Sequence, residues 1–505
     1  MPLYFILALI CMGMVATFSN WRHGIYWMVA IAMMQDPMRK MTPGVPALLV
    51  LSIMPIWMTM ILKMLGSERN PLIRFKACHA RMLTFIGLFL LALVPSAVQS
   101  FSLGFAGLQL AIMGGFSYIG SLLSLLAGYY FIRHPTDLDR LLKFYCIGTG
   151  ILLIGGLLEA GGITPSWAAV GTKAMDMDWT RGWVGGSLNL RAGFYRSPDI
   201  MGWHAAAACL LAFLLASNRV GAGRVFWLGM AAWASVSVML CGRRKAFMML
   251  PVFALTFIWI NFRGKARIAQ TLGVLLVALL FGTVLYGQMA SSADTEEYYF
   301  KQTSQDFQTR VLDYVVDSIV GTFEQQGFWG AGLGTATQGA HHVVQAESSG
   351  ASRSRMWQEG GLDRILGELG LIGFACAAGF GILVLSKILL VSRSYRDSPN
   401  RMQVTLGAFV VANAANFVLS HQVFGDPFIS TFFAFLTGVV LSMPRLTRES
   451  AADVAPVMAA SVVNHQGMPA ALSPFAGDAH GPDSDIPSHR LTDSPTHRPT
   501  DSSQS

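Results

Sequence analysis

The chain has 505 residues, of which 53% are hydrophobic and only 13% charged, with a formal net charge of +8. A soluble protein of this length carries roughly a quarter charged residues, so a water-soluble globular fold is excluded. The lysines and arginines lie beside apolar runs, which points to membrane orientation and not to nucleic acid.

In chain order, apolar runs occur near 2–18, 24–35, 45–62, 82–98, 108–132, 144–160, 201–217, 226–241, 246–261, 269–286, 364–390, 403–420 and 428–443. Most reach the roughly 17 residues needed to span a hydrocarbon core of about 30 Å. In lipid they must be helical, because backbone groups can be satisfied only internally. Alternating short strands of the barrel type are absent. The expected fold is therefore all-α, a polytopic membrane helix bundle of about 11–13 spans. The first run lacks a basic n-region and an A-x-A site, so it reads as a retained span and not a signal peptide. The second is short enough to be a span or a re-entrant segment. The six cysteines lie in or beside apolar runs without C-x-x-C spacing, which argues against a disulfide framework or a zinc site. After Glu449 the composition turns to Ser, Pro, Asp, His and Thr. The expected organisation is a membrane domain over 1–448 and a disordered tail over 449–505.

Orientation follows from basic residues in short turns. Lys63 to Arg81, Arg133 to Lys143, Arg219 with Arg224, 261–267 and Arg393 to Arg401 fall on one side of an alternating topology. That side is expected to be cytoplasmic, together with the tail. Two large loops, 161–200 and 287–363, then face outward. Arg39 and Lys40 in "QDPMRK" fall on the disfavoured side, as does "GRRK" at 242–245. Arg243, Arg244 and Lys245 are either headgroup anchors or ligands for an anion. Three cations together on the unfavoured face favour a phosphate, which arginine clamps bidentately.

The loop 161–200 ends in "LNLRAGFYRSPDIMGWHAA". Arg191 and Arg196 precede a helix start that Ser197 or Asp199 can cap, a ready anion site. His204, one turn further on, reads as a packed core residue. In the loop 287–363, Phe307, Val311, Val315 and Ile319 line one face of an amphipathic helix, with Arg310, Asp313 and Asp317 opposite. "GFWGAGLGTATQGAHH" follows, a glycine-rich turn without the lysine of a nucleotide P-loop. His341 and His342 are either solvated loop residues or a general base. "WQEGGLDRILGELGLIG" then places Glu359, Asp363, Arg364 and Glu368 at the head of the next span. Carboxylates at that depth mark functional sites, and Glu368 can equally pair with Arg364 at i−4.

The ordered set over roughly 190–375 resembles bacterial O-antigen ligases and polymerases. "LRAGFYRSPD" is similar to their R-x-G…P-[ND] segment, "SVMLCGRRKA" to S-R-[GA], "TRVLDYVVDSIVGTFEQQGFWGAGLGT" to R…W…P-x-x-G-x-G-x-G, and "EGGLDRILGELG" to the closing E-x-G-x-x-G. The resemblance implies a helical glycan transferase of the bacterial inner membrane. It would move a glycan from undecaprenyl pyrophosphate to an acceptor hydroxyl of a glycan or lipid on the periplasmic side, with inversion. Neither cofactor nor divalent metal is implied. Membrane lipids, export proteins and chain-length proteins are the expected partners. Arg191, Arg243 or Arg244, and Arg310 match the family's phosphate-gripping arginines, with Arg196 and Lys245 beside them. His341 or His342 stands near the family's loop histidine, but "VVQAESSGASRSRMWQ" intervenes. The E-x-G-L-x-R-x-x-x-E-L-G pattern resembles exopolysaccharide polymerases and favours Glu359 as the base. A flippase for the same lipid-linked glycan, or a non-enzymatic scaffold, are the alternative readings.

Overall fold

Long apolar runs in this sequence form helices because a helix bonds its own backbone in lipid. The computed structural model describes residues 2–42, 47–168, 180–183, 186–262, 315–337, 360–397, 401–420 and 422–448. Apart from 269–286, which lies outside these residues, every expected run coincides with a helix.

α1 spans Pro2–Ser19 and α2 His23–Met41. A 3-10 turn, Ala47–Ile53, leads into α3, Met54–Ser67. α4 is Pro71–Phe101 and α5 Gly104–Gly115; a π-helical turn, Phe116–Gly120, joins α5 to α6, Ser121–Phe131. α7, Pro135–Leu152, and α8, Ile154–Ala160, precede a small antiparallel hairpin of β1, Thr180–Trp183, and β2, Gly186–Asn189. α9 is Pro198–Ser217, α10 Gly221–Leu240 and α11 Arg244–Asn261. The remaining helices are α12, Val315–Gln326, α13, Gly361–Ser394, α14, Arg401–Leu419, and α15, Pro427–Leu441. Of the expected amphipathic helix, Val315, Asp317 and Ile319 fall in α12; Phe307, Arg310, Val311 and Asp313 lie outside the described residues.

Among the described residues, ten helical stretches are long and apolar enough to cross a membrane. The chain is a multi-pass membrane protein with an all-α bundle. The expected second span, α2, is a full 19-residue helix; its second half carries Gln35, Asp36 and Lys40, all buried. Around the bundle, Leu62, Leu91, Val98, Ile112, Ile382 and Leu390 are exposed, a surface suited to acyl chains and unsuited to water. A close crossing pairs α6 with α15. A methyl group added at Gly128 would meet the Phe435 carbonyl, and one at Gly438 the Leu125 carbonyl. Small residues thus bring two backbones into contact, the usual source of helix adhesion in lipid. Residues 1–449 form one compact unit; the expected tail lies outside the described residues.

Polar contacts sort the turns into two ends. Arg22 bonds Glu68 and the carbonyls of Tyr130 and Phe131, Arg219 bonds Asp139, and Arg393 lies 4.5 Å over the Trp259 ring. This basic end therefore gathers the α1–α2, α3–α4, α6–α7 and α9–α10 turns with the ends of α11 and α13. At the other end lie the α2–α3 turn, the end of α8, the starts of α9, α11, α13 and α15, and the glycine-rich turn. α1, α2 and α3 simply alternate, which puts Arg39 and Lys40 at the end opposite the basic turns.

Candidate functional site

The segment before α9 is strapped in place by charges from three other elements. Glu159, at the end of α8, accepts hydrogen bonds from the N–H groups of Ala192 (3.0 Å) and Gly193 (2.6 Å). Lys40, from α2, donates to the Gly193 carbonyl at 2.7 Å. Ser197 caps α9 by accepting from Ile200 N–H. Arg196 reaches Asp36 at 3.2 Å and Asp426 at 2.5 Å. Asp426 in turn caps α15, accepting from Ile429 N–H at 2.9 Å. Asp36 and Asp426 are each 2% exposed at the side chain. Burial alone would push the Arg196 guanidinium down, but the two carboxylates outweigh it and raise it above the usual arginine range. Arg196 is therefore fully charged and fully committed. A part-buried guanidinium between two buried carboxylates ties α2, the α9 loop and α15 together.

Beneath this layer lies an aromatic stack. His204 stacks on Tyr195 at 5.1 Å and on Phe428 at 5.9 Å, and its Nδ1 shares a 2.9 Å hydrogen bond with the Tyr145 hydroxyl. His204 is a packed core residue with a polar partner. On the rim, Arg243 donates to Asp199 at 2.8 Å. Its Nε, buried, has no hydrogen-bond partner. Arg244 and Lys245 are partly buried in the first turn of α11. Arg191 is partly exposed and makes no hydrogen bond or ion pair with the described residues.

The second cluster forms where the glycine-rich turn meets a broken helix. Within α13, Gly370 takes φ 67° and ψ −171°, outside any helix. The break frees carbonyls that the turn then bonds. Ala331 N–H donates to the Gly367 carbonyl at 2.6 Å, Gly332 N–H to that of Glu368 at 3.2 Å, and Leu371 N–H to that of Phe328 at 2.9 Å. α4 completes the seat: Leu333 N–H donates to the Ser96 carbonyl and Gln99 to that of Gly330. Gly334, at φ 83°, lies so close to the Leu110 carbonyl that no side chain fits.

Glu368 sits in the shelter of this joint, 0% exposed. The Tyr118 hydroxyl donates to it at 2.7 Å, Ala336 N–H at 3.1 Å and Arg364 Nε at 3.3 Å. Arg364 also reaches Ser117 at 3.4 Å. Ser117 and Tyr118 belong to the π-helical turn, a local rewinding common at functional sites. Asp363 is held by Ser318 at 2.7 Å and by Gly360 N–H at 3.3 Å. Asp363 and Arg364 are thus buried in supporting bonds, and Glu368 pairs with Arg364 in the i−4 geometry.

The structure brings Arg191, Arg196, Arg243, Arg244 and Lys245 to the same end of the bundle as Asp363, Arg364 and Glu368. Arg310, His341, His342 and Glu359 lie outside the described residues. Sequence reasoning marked Lys40 only as a breach of the charge rule and did not single out Asp36, Glu159, Asp426, Ser117 or Tyr118. Two had a signal: "QDPMRK" broke the charge rule, and Asp426 before Pro427 is an N-cap followed by proline. Tyr118 and Ser117 had none, because a π-turn leaves no mark in an apolar run. No family model matches this sequence, and no curated protein is significantly similar to it.

Proposed function

We propose that the protein transfers a glycan from undecaprenyl pyrophosphate to an acceptor hydroxyl, as a polymerase or ligase of lipid-linked polysaccharide, at the bundle end that carries Arg196 and Glu368. On this reading that end faces the periplasm and the basic end the cytoplasm of a bacterial inner membrane. The observation that carries the proposal is the placement of the cations that break the positive-inside rule. Lys40, Arg191, Arg196, Arg243, Arg244 and Lys245 share one end, where membrane insertion disfavours them.

The residues divide the work. Arg196 is neutralised by Asp36 and Asp426, so it positions the loop and leaves the donor to Arg191 and Arg243. Arg191, with no partner among the described residues, and Arg243, part-exposed on the rim and held by Asp199, present guanidinium N–H groups to the diphosphate. Arg244 and Lys245 add charge. The acceptor oxygen attacks the anomeric carbon as the bond to the diphosphate oxygen breaks. The electron pair leaves on the lipid diphosphate, whose growing charge the arginines stabilise. Displacement from the opposite face inverts the anomeric centre. Glu359, immediately before α13, takes the acceptor proton, with His341 and His342 as the other candidates. Glu368 is fixed by three donors and positions the head of α13.

Purified protein supplied with a lipid-linked oligosaccharide tests this reading. Arg191→Ala and Arg243→Ala should each lower transfer about 10- to 100-fold, because a charged hydrogen bond to phosphate is worth about 1.5–3 kcal/mol. Lysine should restore part of it, lacking the bidentate geometry. Normal transfer by the double alanine variant would end the proposal. A product ladder identifies a polymerase, and a single transfer to a distinct acceptor identifies a ligase.

A further inference from the structure

The basic end holds a cleft of about 350 Å³ whose lining includes Arg22, Glu68, Arg74, Tyr130, Arg133 and Arg445. Four guanidiniums thus face one carboxylate, a local surplus of three positive charges. Two of the four have structural work. Arg22 and Arg445 together cover the last carbonyls of α6: Arg22 donates to Tyr130 and Phe131, and Arg445 to Tyr129 and Ile132. Cations at a helix C-terminus are favourable for that reason. Glu68 is spent on Arg22, at 3.1 Å.

Arg74 and Arg133 remain. Arg74 is exposed and makes no hydrogen bond or ion pair among the described residues. Arg133 is 65% exposed at the side chain, whose Nη2 lies 3.8 Å from a Glu68 oxygen, and its backbone N–H donates to Asp137 at 3.0 Å. The surplus is felt inside the cleft, where burial and the neighbouring Arg133 charge push the Arg22 guanidinium down. The excess of guanidinium in this lining suits an anion. Leu72 and Ile73, beside Arg74, are exposed aliphatic side chains, so a chain attached to that anion has an apolar surface to lie on.

We infer that this cleft binds a phosphate ester between Arg74 and Arg133, supplied either by the headgroup of an anionic phospholipid or by a soluble phosphate compound. The site is separate from the proposed transfer site, at the opposite end of the same helices, and the argument for it holds whatever reaction occurs there. It is a regulatory or anchoring site for the basic face of the bundle.

The test uses the full chain in nanodiscs, comparing wild type with Arg74→Ala/Arg133→Ala. In the lipid arm, phosphatidylglycerol is titrated into phosphatidylcholine and the thermal midpoint is followed. In the soluble arm, inorganic pyrophosphate is titrated in phosphatidylcholine alone. A basic side chain near an anionic surface contributes enough that losing two should weaken apparent affinity about 30-fold. A rise in midpoint that requires both arginines supports the site, and the arm in which it occurs names the source. Arg74→Lys/Arg133→Lys should retain most of the rise, which separates lost charge from damaged folding. An equal rise in wild type and the alanine variant, or no rise in either arm, overturns the inference.

Discussion

The two ends of the bundle use the same residue type in opposite ways. At the basic end, arginines outnumber carboxylates, and Arg22 and Arg445 spend their N–H groups on the last carbonyls of α6. At the other end, Arg196 lies between Asp36 and Asp426, and Arg243 bonds Asp199. Burial does not separate the two uses, since Arg22 and Arg196 are 13% and 12% exposed at the side chain: Arg22 divides its N–H groups between one carboxylate and two carbonyls, whereas Arg196 takes two carboxylates, whose desolvation it must offset. Charge counting along a sequence sees the first use and misreads the second. What distinguishes them is a second carboxylate brought from a distant helix.

Variants at each end sharpen or break this contrast. The largest effect is expected at Arg196. Alanine there leaves Asp36 and Asp426 buried without their countercharge, which should cost about 3–5 kcal/mol, read as loss of folded protein in a detergent thermal-stability assay. A mild loss would mean that the paired end is no more demanding than the basic one. Next comes the glycine turn at the same end. Gly334→Ala puts a side chain at φ 83° against the Leu110 carbonyl and should cost about 3 kcal/mol. Unchanged stability would show that the turn can leave its seat. Tyr118→Phe removes one donor from buried Glu368 and should cost about 2 kcal/mol, with a matching loss of glycan transfer if the head of α13 must be fixed. At the basic end, Arg74→Ala should change stability in neutral lipid by less than about 0.5 kcal/mol. Deletion after Arg448 should leave thermal stability and transfer as they are, since the composition of 449–505 offers no core; a fall in product at equal protein level would give the tail a function.

Much of the architecture was legible in the sequence, since apolar length alone fixes helices in lipid. The positions of Arg191, Arg196 and Arg243–Lys245 at one end follow from alternation. The partners were not legible. Asp36 and Asp426 lie 390 residues apart in sequence, and nothing local in either says that both approach Arg196. Arg39 and Lys40 looked like an exception to a rule; Lys40 is the cation that holds the Gly193 carbonyl. The glycine-rich turn was legible as a turn; that Gly330, Gly332 and Gly334 lie against α13, α4 and α5 was not. The break at Gly370 was hidden inside an apparently continuous apolar run.

That break also bears on how the protein enters the membrane. Unbroken, the 34 residues of α13 would extend about 51 Å, far beyond a hydrocarbon core of about 30 Å. Gly370 divides the helix into a short head with Asp363, Arg364 and Glu368 and a long apolar remainder, 371–394, whose charges are Lys387 and Arg393. Each ion at a helix centre opposes insertion by about 2.5–3.5 kcal/mol. The insertion machinery therefore needs to pass only the remainder into lipid. The head, whose Arg364 and Glu368 pair with each other, can wait at the interface and gain the Ala336 N–H bond when the glycine turn docks, so that assembly of this region follows insertion instead of competing with it.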